Sequence, residues 1–147
     1  MAQSSIDVAR ESIECFNTGD FDRLRSLLAD DSHEEELATQ RRLDGADAQV
    51  EAGRGWKEAF PDGHGTIESV HADGDTVTLE LTWEGTQSGP MRTPDGQEIS
   101  PSNRRVNVKA CQVIEVEDAK IKATRHYFDL MTIMQQIGAI EQAGATA

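Results

Sequence analysis

The sequence predicts an α+β domain in which a curved antiparallel β-sheet wraps around N-terminal helices, followed by a short C-terminal helix. Two observations support this prediction. Apolar residues recur at helical spacing in the first 60 residues, and from residue 65 onward apolar and polar residues alternate as they do in strands. The chain has 147 residues, so we expect one domain over residues 1–147. Such a sheet forms a cone-shaped α+β barrel with a pocket inside.

Three helices are predicted in the first 60 residues. The first two carry apolar stripes at helical spacing: Ile6, Ala9, Ile13 and Phe16, and then Phe21, Leu24, Leu27 and Leu28. A third is predicted over residues 47–60, where Gly53 and Gly55 weaken the pattern and Pro61 ends it. Before it, the acidic residues 34–36 are interpreted as a solvated face rather than a metal site, because three adjacent side chains cannot converge on one ion.

Strands are predicted in the second half of the chain. Residues 76–85 place Val77, Leu79, Leu81 and Trp83 on one face. Residues 105–116 also alternate, and the sequence leaves open whether the face that carries Asn107 lines a pocket or meets a partner. Between these strands, residues 87–103 form a loop long enough to be interpreted as a pocket lid.

The composition argues against two classes of partner. The chain has 27 acidic and 14 basic residues, a formal net charge of −13, which disfavours nucleic acid and anionic membrane surfaces. No apolar run approaches the roughly 20 residues of a membrane span, and the N-terminus does not resemble a signal peptide. Cys15 and Cys111 lie far apart in the sequence and form no CxxC motif, so we expect two free thiols and no metal site. Free thiols are typical of a reducing compartment, and we therefore expect a cytoplasmic protein.

The last predicted strand carries the candidate catalytic group. Arg125, Tyr127 and Asp129 share one parity and therefore one face of that strand. Leu130 begins a helical pattern that Gly138 ends, so Asp129 lies at a strand-to-helix junction among apolar neighbours. A lone acid in such surroundings is a candidate functional group, and the alternative is a structural N-cap of the final helix.

Short motifs occur in a characteristic order along nearly the whole chain. They are FNTGD at residues 16–20, LLADD at 27–31, WKEAFPD at 56–62, GT at 85–86, GP at 89–90, TPDG at 93–96, PSNRRV at 101–106, YFD at 127–129 and QQIG at 135–138. Together they resemble the SnoaL-like polyketide cyclases, or ester cyclases, of the nuclear-transport-factor-two-like (ketosteroid isomerase-like) superfamily.

This resemblance implies a cone-shaped α+β barrel that forms a homodimer through the outer face of its sheet. It also implies a small hydrophobic or carbonyl-containing ligand and a reaction that uses no metal or cofactor. In the cyclases, an acid equivalent to Asp129 removes a proton from carbon between carbonyl groups of a polyketide ester. The enolate then attacks an aldehyde of the same molecule.

Two positions depart from the family pattern. Arg125 stands where relatives commonly carry an aromatic residue. Its guanidinium would either hold Asp129 ionised in a structural ion pair or neutralise an enolate or substrate carboxylate. The first-strand region, where relatives often place a His or an aromatic residue in the pocket, offers His33 as a pocket candidate.

The remaining pocket candidates are mostly aromatic. The substrate-binding residues we expect are Phe16, Trp56, Phe60, Trp83 and Tyr127, together with His33 and Asn107. Trp56, Phe60 and Trp83 have a second interpretation as core residues. His126 has the opposite parity to Asp129 and is expected to face away from it.

Three functions are compatible with these residues. The first is a cofactor-free cyclase or isomerase that acts through an enolate, with Asp129 and Arg125 as catalytic residues. The second is a non-catalytic module that binds a small ligand, because one fold supports many functions. The third is an enzyme similar to epoxide hydrolases, in which several polar groups would hold a water molecule.

Overall fold

The computed structural model of the chain describes residues 4–93 and 95–140, so Pro94 of one predicted motif lies outside these ranges. Helices in this part of the chain are α1 (Ser5–Thr18), α2 (Phe21–Leu27), α3 (Ala46–Ala59) and α4 (Leu130–Gln136). Strands are β1 (Leu28–Glu36), β2 (Arg41–Asp44), β3 (His64–Asp73), β4 (Thr76–Thr86), β5 (Met91–Arg92), β6 (Glu98–Ile99), β7 (Arg105–Glu117) and β8 (Lys120–Phe128). None of these helices is long and apolar enough to cross a membrane.

Six strands form one curved sheet in the order β2-β1-β8-β7-β4-β3. Its neighbours are antiparallel except β1 and β8, which are parallel, so the sheet is mixed rather than purely antiparallel. The predicted α+β class is confirmed. The residue pattern did not identify β1, which lies in a polar stretch, although the family resemblance implied a first strand near His33. Within the predicted lid, β5 and β6 pair as a small hairpin.

The core lies between the helices and one face of the sheet, which we call the inner face. Val77, Leu79 and Ile114 on this face are fully buried, as the alternation along β4 predicts. A second apolar cluster joins α3, β7 and α4: Ala59, Phe60, Met91, Val106, Val108, Ile133 and Ile137. Trp83 packs against both clusters.

Side chains cap the first and last helices. Ser4 Oγ accepts a hydrogen bond from the backbone N–H of Asp7, and Gly19 ends α1 in the left-handed region with φ of 76°. At α4, Asp129 Oδ1 accepts the Thr132 backbone N–H at 3.1 Å and Oδ2 accepts the Thr132 hydroxyl at 2.7 Å. Asp129 therefore occupies the N-cap position, the structural alternative for this residue.

Close contact between α3 and the loop after β4 depends on Gly89. Its N–H donates to the Ala59 carbonyl at 3.1 Å, and a Cβ here would lie 1.9 Å from the Glu58 carbonyl oxygen. We expect Gly89→Ala to destabilise the protein by about 2 kcal/mol or more, because backbone must move. A Cβ on Gly55 in α3 would meet nothing within 4 Å, so Gly55→Ala should stabilise by about 1 kcal/mol. Chemical unfolding of both variants tests this, and a Gly89→Ala protein as stable as wild type would contradict it.

Candidate active site

A cavity of about 160 Å³ lies between the helices and the inner face of the sheet. Its aromatic lining residues are Phe16, Trp56, Phe60, Trp83 and Phe128. Polar residues also line it, among them Glu34, Glu36, Gln49, Gln112, Thr124 and His126. A concave, mostly apolar space with a few convergent polar groups is typical of a small-molecule site.

The structure divides the residues that the sequence suggested for the site. Phe16, Trp56, Phe60 and Trp83 line the cavity, so their proposed contact with a ligand has a place to occur. The others do not line it: Asp129, Arg125, Tyr127, His33 and Asn107.

Arg125 and Tyr127 share a face, as their parity predicts, but it is the outer face of the sheet. From Thr124 onward, the residues of β8 that line the cavity have the other parity: Thr124, His126 and Phe128. Ile121 also lines the cavity, but a register shift between β7 and β8 separates it from these three. Arg125 Nη1 donates to Glu115 Oε2 at 2.8 Å, and this hydrogen bond raises the pKa of Arg125. The ion pair considered between Arg125 and Asp129 is therefore replaced by one with Glu115. Tyr127 is 45% exposed.

His33, Asn107 and Asp129 also lie outside the cavity. His33 alternates along β1 with Glu34, which is a lining residue. Asn107 exchanges two hydrogen bonds between its backbone and the Gln136 side chain, so it holds α4 against β7. Asp129 is exposed, and the hydrogen bonds from Thr132 lower its pKa.

The inner face of β1 contributes a buried, ionised carboxylate, Glu36, which is only 2% exposed. Its Oε1 accepts hydrogen bonds from Thr39 Oγ1 at 2.6 Å and Arg41 Nε at 2.8 Å, and its Oε2 accepts Trp56 Nε1 at 3.1 Å. Burial alone would raise the pKa of Glu36, but these donors outweigh it and lower the pKa. The interpretation of residues 34–36 as a solvated face is wrong, because alternation along β1 turns Glu34 and Glu36 inward.

Glu34 is the second carboxyl group in the cavity and differs from Glu36 in its partners. Its side chain is 20% exposed, and among the described residues it accepts no hydrogen bond. His126 Nδ1 lies 3.9 Å from Glu34 Oε2, which is too far for a hydrogen bond. Burial, and then the negative charge of Glu36, raise the pKa of Glu34 to about 7. Glu34 can therefore both hold and release a proton near neutral pH.

His126 supplies a hydrogen-bond donor beside Glu34. Trp83 Nε1 donates to His126 Nε2 at 3.1 Å, and an indole N–H can only donate. In the neutral imidazole Nε2 therefore carries the lone pair and Nδ1 carries the proton. Burial lowers the pKa of His126 to about 4, against the opposing effect of Glu36, so the ring is neutral at pH 7.

Glu34, Glu36 and His126 place three ligand-type atoms within 4.8 Å of one another. Their hydrogen bonds fit a metal poorly. His126 Nδ1 keeps its proton while Trp83 donates to Nε2, and the Arg41 guanidinium already balances the charge of Glu36. The cluster is arranged to hold a proton rather than a cation.

These three residues were not selected from the sequence, although one signal was present. Glu34 and Glu36 are two residues apart, which is the spacing of one strand face, and Arg41 follows as a counter-ion. That signal depends on β1 being a strand, and its polar sequence does not indicate one. His126 was set aside because its parity was compared with that of Asp129.

Solved structures share this fold. A candidate SnoaL-like polyketide cyclase from Jannaschia sp. CCS1 has a TM-score of 0.81 at 19% identity, over 92% of each chain. IdmH, a candidate polyketide cyclase from Streptomyces antibioticus, has a TM-score of 0.79 at 22% identity, over 92% of this chain and 99% of its own. An LEH-like epoxide hydrolase from M. tuberculosis has a TM-score of 0.71 at 23% identity, over 92% and 90%. At these identities the likeness shows the fold alone.

The family follows from the sequence itself. No protein of curated function matches the chain. The family model for the SnoaL-like polyketide cyclase matches residues 6–137, which extend from α1 to the end of α4. This chain therefore belongs to the SnoaL-like polyketide cyclase family.

Proposed function

We propose that this protein is an enzyme that removes a proton from carbon beside a carbonyl group of a small, largely apolar ligand, with Glu34 as the acid/base group. The observation that supports this is the state of Glu34, which lines the cavity without a hydrogen-bond partner among the described residues. Its pKa of about 7 suits a general base at neutral pH. Asp129, with its pKa lowered by Thr132, is the weaker base.

Two donors are positioned to stabilise the enolate. When the proton leaves carbon, the electron pair moves onto the carbonyl oxygen, which then needs hydrogen-bond donors. Nδ1–H of neutral His126 is one. The Gln112 amide is the other, because Gln112 is the partner of His126 across β7 and β8 and its side chain has no partner in the described part of the chain.

The next step depends on the ligand. If the ligand carries a second carbonyl within reach, the enolate carbon attacks it and a carbon–carbon bond closes a ring. The resulting alkoxide takes the proton from Glu34, which returns as the carboxylate. Without a second carbonyl, Glu34 returns the proton to another carbon and the product is an isomer. The apolar, aromatic lining suits a carbonyl compound of the polyketide type.

Two other functions stay open to test. A ligand-binding module would use the same cavity without turnover. An epoxide hydrolase would use Glu34 to activate a water molecule held by Gln112 and Thr124, whose side chains both lack partners among the described residues. The isomerase or cyclase is preferred because the surface of the cavity is mostly apolar, which suits a largely apolar carbonyl compound.

The first test compares Glu34→Gln with Asp129→Asn, which keeps a good capping residue. The probe is 2-tetralone, whose carbon beside the carbonyl exchanges hydrogen for deuterium in D₂O. We expect wild type to accelerate this exchange and Glu34→Gln to slow it by about 10² or more, because the base is lost. Asp129→Asn should stay within about threefold of wild type.

The result of this comparison separates the candidate functions. Loss of exchange in Asp129→Asn but not in Glu34→Gln would return the catalytic role to Asp129. If wild type binds 2-tetralone without catalysing exchange, the binding module is favoured. Hydrolysis of cyclohexene oxide that requires Glu34 would favour the epoxide hydrolase.

The raised pKa of Glu34 predicts a pH-dependent stability. Between the ordinary Glu pKa of 4.5 and about 7, the folded protein holds a proton on Glu34 that the unfolded chain has lost. This contribution is therefore fully present below pH 4.5 and disappears as pH rises through 7. Relative to Glu34→Gln, wild type should lose roughly 3 kcal/mol between pH 4.5 and 8. Urea unfolding at several pH values measures it, and a constant difference would contradict the raised pKa.

We also propose that the protein forms a homodimer through the outer face of its sheet. Val113 and Cys111 on β7 lie opposite Arg125 and Tyr127 on β8 and give this face an apolar centre. Val113→Lys should place an unpaired charge in that interface and shift the protein from dimer to monomer. Sedimentation velocity at micromolar concentrations tests this, with Glu51→Lys on α3 as the control. A monomeric wild type would contradict the proposal.

A further inference from the structure

Gln49 on α3 lines the cavity, and one atom of its side chain is an unsatisfied hydrogen-bond acceptor. Its Nε2 donates to Ser32 Oγ at 3.0 Å and to the Gly45 carbonyl at 3.1 Å. Ser32 uses its own proton on the Ala29 carbonyl at 2.6 Å, so its oxygen can only accept from Gln49. The orientation of the amide is thereby fixed. Oε1 of Gln49 is buried and has no partner among the described residues, and the residue is 5% exposed.

The position of Gln49 relative to Glu34 follows from two neighbouring elements. Gln49 contacts Ser32 on β1, and Trp56, about 10 Å further along α3, contacts Glu36 on the same strand. Glu34 lies between Ser32 and Glu36 on the inner face of β1. Gln49 therefore contacts β1 at Ser32, which lies about 7 Å along the strand from Glu34, on the side away from Glu36.

We infer that the ligand of this cavity carries a hydroxyl or N–H donor that binds Gln49 Oε1, on the side of the reacting carbon away from Glu36. This inference rests on the proposed function of Glu34 and adds the class of substrate to it: a hydroxylated carbonyl compound. The strand spacing of about 7 Å between Ser32 and Glu34 matches the length of a fused ring pair.

The orphan oxygen gives the cavity a means of discrimination. A buried carbonyl oxygen without a hydrogen bond costs free energy, and a donor on the ligand removes that cost. A ligand of equal shape without the donor excludes water and leaves the oxygen unpaired. Sites built to bind a substrate hydroxyl reject analogues that lack it for this reason.

The test measures binding of 5-, 6- and 7-hydroxy-2-tetralone against 2-tetralone and the corresponding methoxy compounds. Trp56 and Trp83 line the cavity, so their fluorescence reports binding without turnover. At least one hydroxy compound should bind wild type about tenfold more tightly than 2-tetralone, and its methoxy analogue should not. In Gln49→Met this preference should fall to about onefold, while Gln97→Met, at an exposed position outside the cavity, should retain it.

Equal affinities for all compounds in wild type, including no binding by any of them, would overturn the inference. So would a preference that survives Gln49→Met or disappears in Gln97→Met. If Gln49→Met does not fold, the comparison of hydroxy and methoxy compounds in wild type and Gln97→Met still decides. This test measures binding and not turnover, so its result is independent of the role of Glu34. If the hydroxyl preference is present and Glu34→Gln keeps full exchange activity, the role of Glu34 is rejected and the role of Gln49 is not.

Discussion

The buried carboxylate of Glu36 is the interaction on which the candidate site depends. A charge that is 2% exposed persists only with strong partners, and these come from Thr39 and Arg41 at the β1–β2 hairpin and from Trp56 on α3. One side chain therefore fixes the hairpin against the helix that covers the cavity. Its charge also acts on Glu34. Burial, and then the charge of Glu36, favour the protonated form of Glu34, which has no donors of its own, and raise its pKa to about 7.

His126, the third titratable residue of the site, also has its protonation state fixed by a neighbouring side chain. The indole of Trp83 lies over Gly65 on β3, where an added Cβ would be 2.5 Å from the ring. From this position it donates to His126 and fixes the tautomer that directs an N–H into the cavity. The three titratable groups thus have different states at neutral pH: Glu36 ionised, His126 neutral and Glu34 able to change. Different surroundings thus give the three groups different pKa values, and these pKa values determine which group can act as acid/base and which as hydrogen-bond donor.

The sequence predicted the fold better than the site, for a physical reason. The alternation along β4 and β7 reports burial of apolar side chains, and burial of that kind is readable from neighbours in the chain. The strand β1 has an inner face of Ser32, Glu34 and Glu36, whose burial depends on partners from other elements. Nothing in its local composition reveals that, so the residue pattern did not predict the strand, and its two acids were interpreted as part of a solvated face.

The same dependence on other elements applies to β8. The sequence predicted correctly which residues share a face of this strand, but not which face points toward the core. One face holds Arg125 and Tyr127, the other Thr124, His126 and Phe128, and both are a mixture of polar and aromatic residues. Register decides between them. Gln112 lies opposite both His126 and the buried Leu79, which puts His126 on the core side. Asp129 then follows the strand as a helix cap, with its carboxylate held in the charged form. The acid suited to proton transfer is the one that the fold leaves without donors, and that property arises from β1 pairing beside β8.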